Sequence, residues 1–300
     1  MADIELRFHH DMLTLSAPIS YVLEKQGVDV AEDLEFVNLL EPDTVRDALK
    51  MQLTAGAQCL VANTEGICAS RLAHKRMEDR QAEIAQAAVK VARECSPQHL
   101  ICEIGPTGLP LDPSSTASVK QSVDQYAAAA RALGDEGVDA FLLNGMDGVC
   151  DMRCAIEGVR SVSARPIFAS FDVDGQGMVE GHGTMLADAI SQLGDGADVY
   201  GFTTSADPVS AADTARAAAQ ATDAPLLAQI RVFQPTSAER RRASLGGNVE
   251  GNPYPMPDDL VHAAAHLCAA GVQFLRVVGQ ATPAYTGSMA LVVTGLDARR

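Results

Sequence analysis

Short apolar runs recur eight times along this chain, each followed by a longer stretch of helical pattern, and that alternation constrains the fold more than any other feature. The runs are "MLTLS" (12–16), "CLVAN" (59–63), "LICEI" (100–104), "AFLLN" (140–144), "PIFASF" (166–171), "DVYGFT" (198–203), "PLLAQI" (225–230) and "QFLRVVG" (273–279). Runs this short and this apolar read as strands buried on both faces, the habit of parallel sheets. Between them lie patterns such as "PDTVRDALKMQLTAG", which opens with Asp43 and Thr44 near its cap and closes at Gly56. The joints "TAGAQCLVAN", "DEGVDAFLLN", "GDGADVYGFT" and "AAGVQFLRVV" repeat one device: a glycine for the helix end, a small residue, then a strand. Eight such units predict an α/β protein, a single (β/α)₈ TIM barrel over residues 1–300. An open doubly wound sheet would carry a glycine-rich phosphate turn after its first strand, and "LSAPIS" is not one. The stretch 233–259, after strand seven, is too long and polar for a routine connection and reads either as a lid or as a simple mobile loop.

The charge excludes several function classes. A formal net charge of −16 repels nucleic-acid backbones and anionic lipid alike, and the basic cluster "ERRRAS" (Glu239–Ser244) reads as a solvated run. No run of eighteen apolar residues predicts a membrane span, and the N-terminus lacks an apolar signal core. Seven cysteines, odd in number and without paired spacing, suit a reducing compartment, so a cytoplasmic location is expected.

In a barrel of this kind the site lies at the C-terminal ends of the strands. Glu65, Asp147 and Asp172 fall there as candidates for proton transfer or ammonium binding. Asn63, Thr64, Asn144, Thr203, Thr204, Arg231 and Gln280 fall there as candidate substrate contacts. The planar fork of Arg231 points to a carboxylate on the ligand.

The motifs also carry a resemblance. "YVLEKQG" (21–27), "VNLLEPDTVRDALKMQLTAGA" (37–57), "ANTEGICASRLA" (62–73), "IGPTGLPL" (104–111), "SFDVDGQGMVEGHGT" (170–184) and "YPMPDDLVHAAAHLCAAG" (254–271) resemble the homocysteine S-methyltransferase family in collinear order. The family includes the homocysteine-binding barrel of cobalamin-dependent methionine synthase and betaine–homocysteine methyltransferase. The resemblance implies a zinc ion held by three cysteines, which keeps the substrate thiol as a thiolate. Matched residue by residue, those three positions are Thr204, Val278 and Gly279, so no family-type metal ligands are expected. The family's Asp-Gly after strand one becomes Ser16-Ala17, and its ammonium-binding glutamate on strand four becomes Asn144. A relocated site around Cys150 and Cys154, with Cys68 and His182, is the weaker alternative.

Two functions follow as expectations. One is a zinc-independent methyltransferase acting on a small molecule other than homocysteine. Methylcorrinoid or methyl-folate would then be its methyl carrier, and in the first case a corrinoid protein its partner. The other is a non-catalytic binding or partner subunit that kept the barrel. The sequence leaves oligomeric state open.

Overall fold

The computed structural model describes residues 3–234, 236 and 252–298. Eight strands form one sheet: β1 (Leu13–Thr14), β2 (Cys59–Ala62), β3 (His99–Ile104), β4 (Ala140–Asn144), β5 (Ile167–Asp172), β6 (Val199–Thr204), β7 (Leu226–Val232) and β8 (Phe274–Gly279). All neighbours are parallel in the order β1-β8-β7-β6-β5-β4-β3-β2. A parallel bridge between Leu15 and Cys59 joins the two ends, so the sheet curls into a barrel. The major helices alternate with the strands: α1 (Pro42–Thr54), α2 (Gln81–Glu94), α3 (Thr116–Leu133), α4 (Gly148–Arg160), α5 (Leu186–Leu193), α6 (Pro208–Ala221), α7 (Asp259–Ala269) and α8 (Pro283–Val293). The chain is a single (β/α)₈ barrel, as the alternation predicts.

Strand parity divides the core in two. Residues of one parity, including Leu13, Val61, Ile101, Leu142, Phe168, Val199, Leu227 and Phe274, fill the barrel interior. Those of the other parity pack outward against the helices. The lower interior is closed by the N-terminal segment. Ile4 is fully buried there, and the Phe8 ring meets Phe168 and Phe274 edge-on at 6.1 and 5.9 Å.

The first strand is shorter than the expected 12–16. The Ser16 hydroxyl, not a backbone carbonyl, accepts from Val61 N at 2.8 Å, and Pro18 has no N–H to continue a ladder. Most of the 233–259 loop lies outside the described residues, so the lid reading does too. Its end is anchored: Tyr254 is buried and donates its hydroxyl to Ala206 O at 2.6 Å. No described helix is long and apolar enough to cross a membrane.

Candidate functional site

Inward parity brings a layer of polar side chains to the level just above the apolar interior. Arg276 on β8 is its centre and is completely buried. Its Nη2 donates to Glu103 Oε2 at 2.7 Å, Nη1 to Gln229 Oε1 at 3.0 Å and Nε to the Ser16 carbonyl at 3.0 Å. Asn144 Nδ2 donates to the other Glu103 oxygen at 2.7 Å. Gln229 Nε2 donates to Asn144 Oδ1, Ser170 Oγ and Thr203 Oγ1 at 2.7, 2.8 and 3.2 Å. Strands β3 to β8 and the end of β1 are thus tied through one connected network, and Thr64, just past β2, donates to the Glu103 carbonyl at 2.7 Å. The charges cancel within the layer, as burial demands. It forms a septum across the barrel.

Above the septum a small space of about 20 Å³ is walled by Glu65, Asn63, Thr64, Glu103 and Arg276 among others. That is room for one water-sized group. Glu65 reaches into this mouth and makes contact with solvent, yet protein crowds it on most sides. That desolvation, with the nearby Glu103 carboxylate, pushes its pKa up to about 7, against the pull of Arg71 and Arg276.

A second space opens to one side, a cleft of about 540 Å³ between the loops after β3, β4 and β5. Pro106–Leu111 form one wall and Val179 and Glu180 another, with Asp147, Asp151 and Asp172 between. Asp151 is buried beneath it and accepts from Tyr126 Oη at 2.9 Å, while desolvation raises its pKa. Asp147 is exposed and lies 2.8 Å from His182 Nε2.

The expected site residues therefore separate into three groups. Asn144 and Thr203 belong to the septum, and Thr64 braces it. Glu65 stands in the axial mouth, while Asp147 and Asp172 line the side cleft. The remaining candidates serve local structure. Asn63 donates to the Leu34 carbonyl at 2.5 Å. Thr204 has outward parity and accepts from Ala206 N at 3.1 Å in the turn out of β6. Gln280 accepts two hydrogen bonds of 2.8 Å from Gln234, one from its backbone N–H and one from its side-chain amide. Arg231, expected to be open to a ligand carboxylate, already donates to Asp172 Oδ2 at 2.7 Å, with Glu180 3.9 Å away. Sequence reasoning passed over Glu103, Gln229 and Arg276. The signal was present: a charge inside an apolar strand run must find a partner when buried.

Zinc is the metal that the resemblance implies. Among the described residues no three His, Cys, Asp or Glu side chains are arranged to hold a metal. The matched positions offer a hydroxyl, an isopropyl group and a glycine. Gly279 has φ +80°, and a Cβ there would lie 2.6 Å from the Val232 carbonyl oxygen, so this backbone admits no cysteine. Burial pushes the Cys68 and Cys102 thiols up to about 12, which disfavours the thiolate a metal needs. The residues present do not fit the metal.

Comparison with known proteins gives three findings. The model of the homocysteine S-methyltransferase family matches residues 18–279. Methionine synthase of Mycobacterium tuberculosis (strain ATCC 25618 / H37Rv) is 24% identical in an alignment 280 residues long that covers 87% of this chain but only 22% of that protein. The metallated form of the homocysteine methyltransferase MmuM from Escherichia coli superposes with a TM-score of 0.73 at 18% identity, covering 94% of this chain and 96% of that one.

Proposed function

Because this chain belongs to the homocysteine S-methyltransferase family, we propose that it is a methyltransferase for a small molecule other than homocysteine, working without a zinc-held thiolate. The observation that carries this is the septum. A guanidinium paired with Glu103 stands on the barrel axis, and the strand ends matched to the family's ligands cannot supply thiolates. The one buried carboxylate near the axis, Glu103, is already engaged by Arg276 and by Asn144.

The side cleft is large enough for a small substrate, and its carboxylates set its polarity. Desolvation and the nearby Glu103 carboxylate push the Glu65 pKa up to about 7, the range wanted in a general acid or base. Asp147, held near His182, and Asp172, held by Arg231, orient groups at the cleft. Methyl transfer here is a displacement. A bond forms from the acceptor atom to the methyl carbon as the donor's bond breaks, and the donor keeps the electron pair. Methylcorrinoid or methyl-folate is the carrier class this reading names, with a corrinoid protein as partner for the former.

The septum, a polar layer already satisfied by its own hydrogen bonds, favours a second reading, a binding subunit without turnover. Zinc content of protein purified without chelators, measured beside homocysteine binding by calorimetry, tests the proposal. The expected result is less than a tenth of a zinc per chain and no homocysteine heat. One zinc per chain with tight homocysteine binding would sink it.

A further inference from the structure

Three arginines stand around the barrel mouth, and two have carboxylate partners: Arg276 with Glu103 and Arg231 with Asp172. Arg71, on the short helix Ala69–Ala73 after β2, has no hydrogen bond or ion pair with any described residue, although it is half-buried. Its position is well defined. A Cβ built on Gly108 would lie 3.7 Å from Arg71 Cδ, and Gly108 is part of the wall of the side cleft. The neighbouring Ser70 pins the helix to that wall, donating its hydroxyl to Thr107 O at 2.7 Å and its N–H to Gln125 Oε1 at 3.3 Å. A half-buried guanidinium has given up part of the water around its five N–H donors, and among the described residues it has gained no hydrogen-bond acceptor in return. In a chain of net charge −16, with acceptors in excess, such a cation is an unusual thing to leave unmatched.

We propose that Arg71 is the anchor for an oxyanion, a carboxylate or a phosphate group, at one end of the ligand whose body occupies the side cleft. This rests on the reading of that cleft as the small-molecule site. The titratable groups that line the cleft are all acidic, and Asp147, Asp151, Asp172 and Glu180 disfavour an anion there. The anionic end therefore has one favourable place, and the ligand enters in one orientation. Arg231 is less suited to this part, because its charge is already matched by Asp172, with Glu180 nearby.

The test follows the arginine Nε–Hε signals of nitrogen-15-labelled protein during titration with sodium acetate or sodium phosphate, against sodium chloride at equal ionic strength. The Arg71 signal is expected to move saturably, while that of Arg216, paired with Asp213 on the surface, stays still. Read from the backbone amide signal of Gly108, which survives the substitution, Arg71→Gln should weaken the interaction by about tenfold or more. Arg71→Lys keeps the charge without the fork and should fall between. Saturation at lower acetate concentration assigns a carboxylate, and at lower phosphate concentration a phosphate group. A linear drift equal to that in chloride, or an affinity unchanged in Arg71→Gln, overturns the anchor. Binding is read without turnover, so the anchor can survive a failure of the methyl-transfer reading, and the zinc and homocysteine measurements can succeed while the anchor fails.

Discussion

Arg276 and Glu103 hold the most consequential interaction made by single side chains. Each is buried, and each is costly alone: removing one leaves an uncompensated charge in a medium that solvates it poorly. Arg276→Met is expected to lower unfolding stability by about 3–5 kcal/mol. The double variant Arg276→Met with Glu103→Leu should recover most of that loss, because the desolvation cost disappears with the pair. Urea unfolding of the two singles and the double closes the cycle. Additive losses would mean that the septum depends on shape rather than on charge matching. The same pair explains why Asn144, matched to an ammonium-binding glutamate, is not left without a role. It donates to the carboxylate that β3 supplies one strand away.

The end of β8 is the element where family chemistry and local backbone part company. Gly279 is still paired with Val232 in the ladder, but φ +80° turns the chain sharply out of the strand. Left-handed backbone is strained for any residue with a Cβ, and here the Cβ would also press on the Val232 carbonyl. Gly279→Ala is therefore expected to cost about 2 kcal/mol or more, measured as a drop in the denaturation midpoint. Gly279→Cys should cost no less and should recruit no zinc. Stoichiometric zinc in that variant would contradict the fit argued for this turn. At the opposite end, the segment before β1 acts as a plug, and its Phe8 completes an aromatic cluster in which Phe168 and Phe274 lie 4.9 Å apart.

Two buried or crowded groups link the stability of the whole molecule to pH with opposite signs. His99, the first residue of β3, is fully buried, and neither ring nitrogen has a hydrogen-bond partner among the described residues. Desolvation lowers its pKa from the usual 6.5, so below that pH the unfolded chain takes up a proton the folded one resists. Stability is then lost as pH falls below 6.5. Glu65 behaves in the reverse way. Its pKa rises from 4.5 to about 7 on folding, so its contribution is complete below 4.5 and is lost as pH climbs through 7. Urea midpoints between pH 4.5 and 8 separate the two. His99→Phe should flatten the acid side of the profile, and Glu65→Gln the neutral side. A Glu65→Gln profile identical to that of the parent would mean that this carboxyl titrates at its ordinary value when folded.

Much of this was legible in the linear sequence, and the reason is physical. A parallel barrel buries its strands on both faces, so each strand is a continuous apolar run, and all eight stood out to within a few residues. Helix ends needing left-handed backbone named themselves through glycine, and polar residues at strand ends marked the rim. Sequence could also establish which chemical groups were absent from Thr204, Val278 and Gly279, because a missing thiol needs no geometry to be missing. It could not tell that Thr203 points to the axis while Thr204 turns away, nor that Arg231 is engaged and Arg71 is not. Those facts depend on which residues of different strands reach the same height across the barrel. Glu103 and Arg276 are 173 positions apart in the chain and 2.7 Å apart in the fold. Pairing over that separation is decided by the closure of the sheet, and only the tertiary structure contains it.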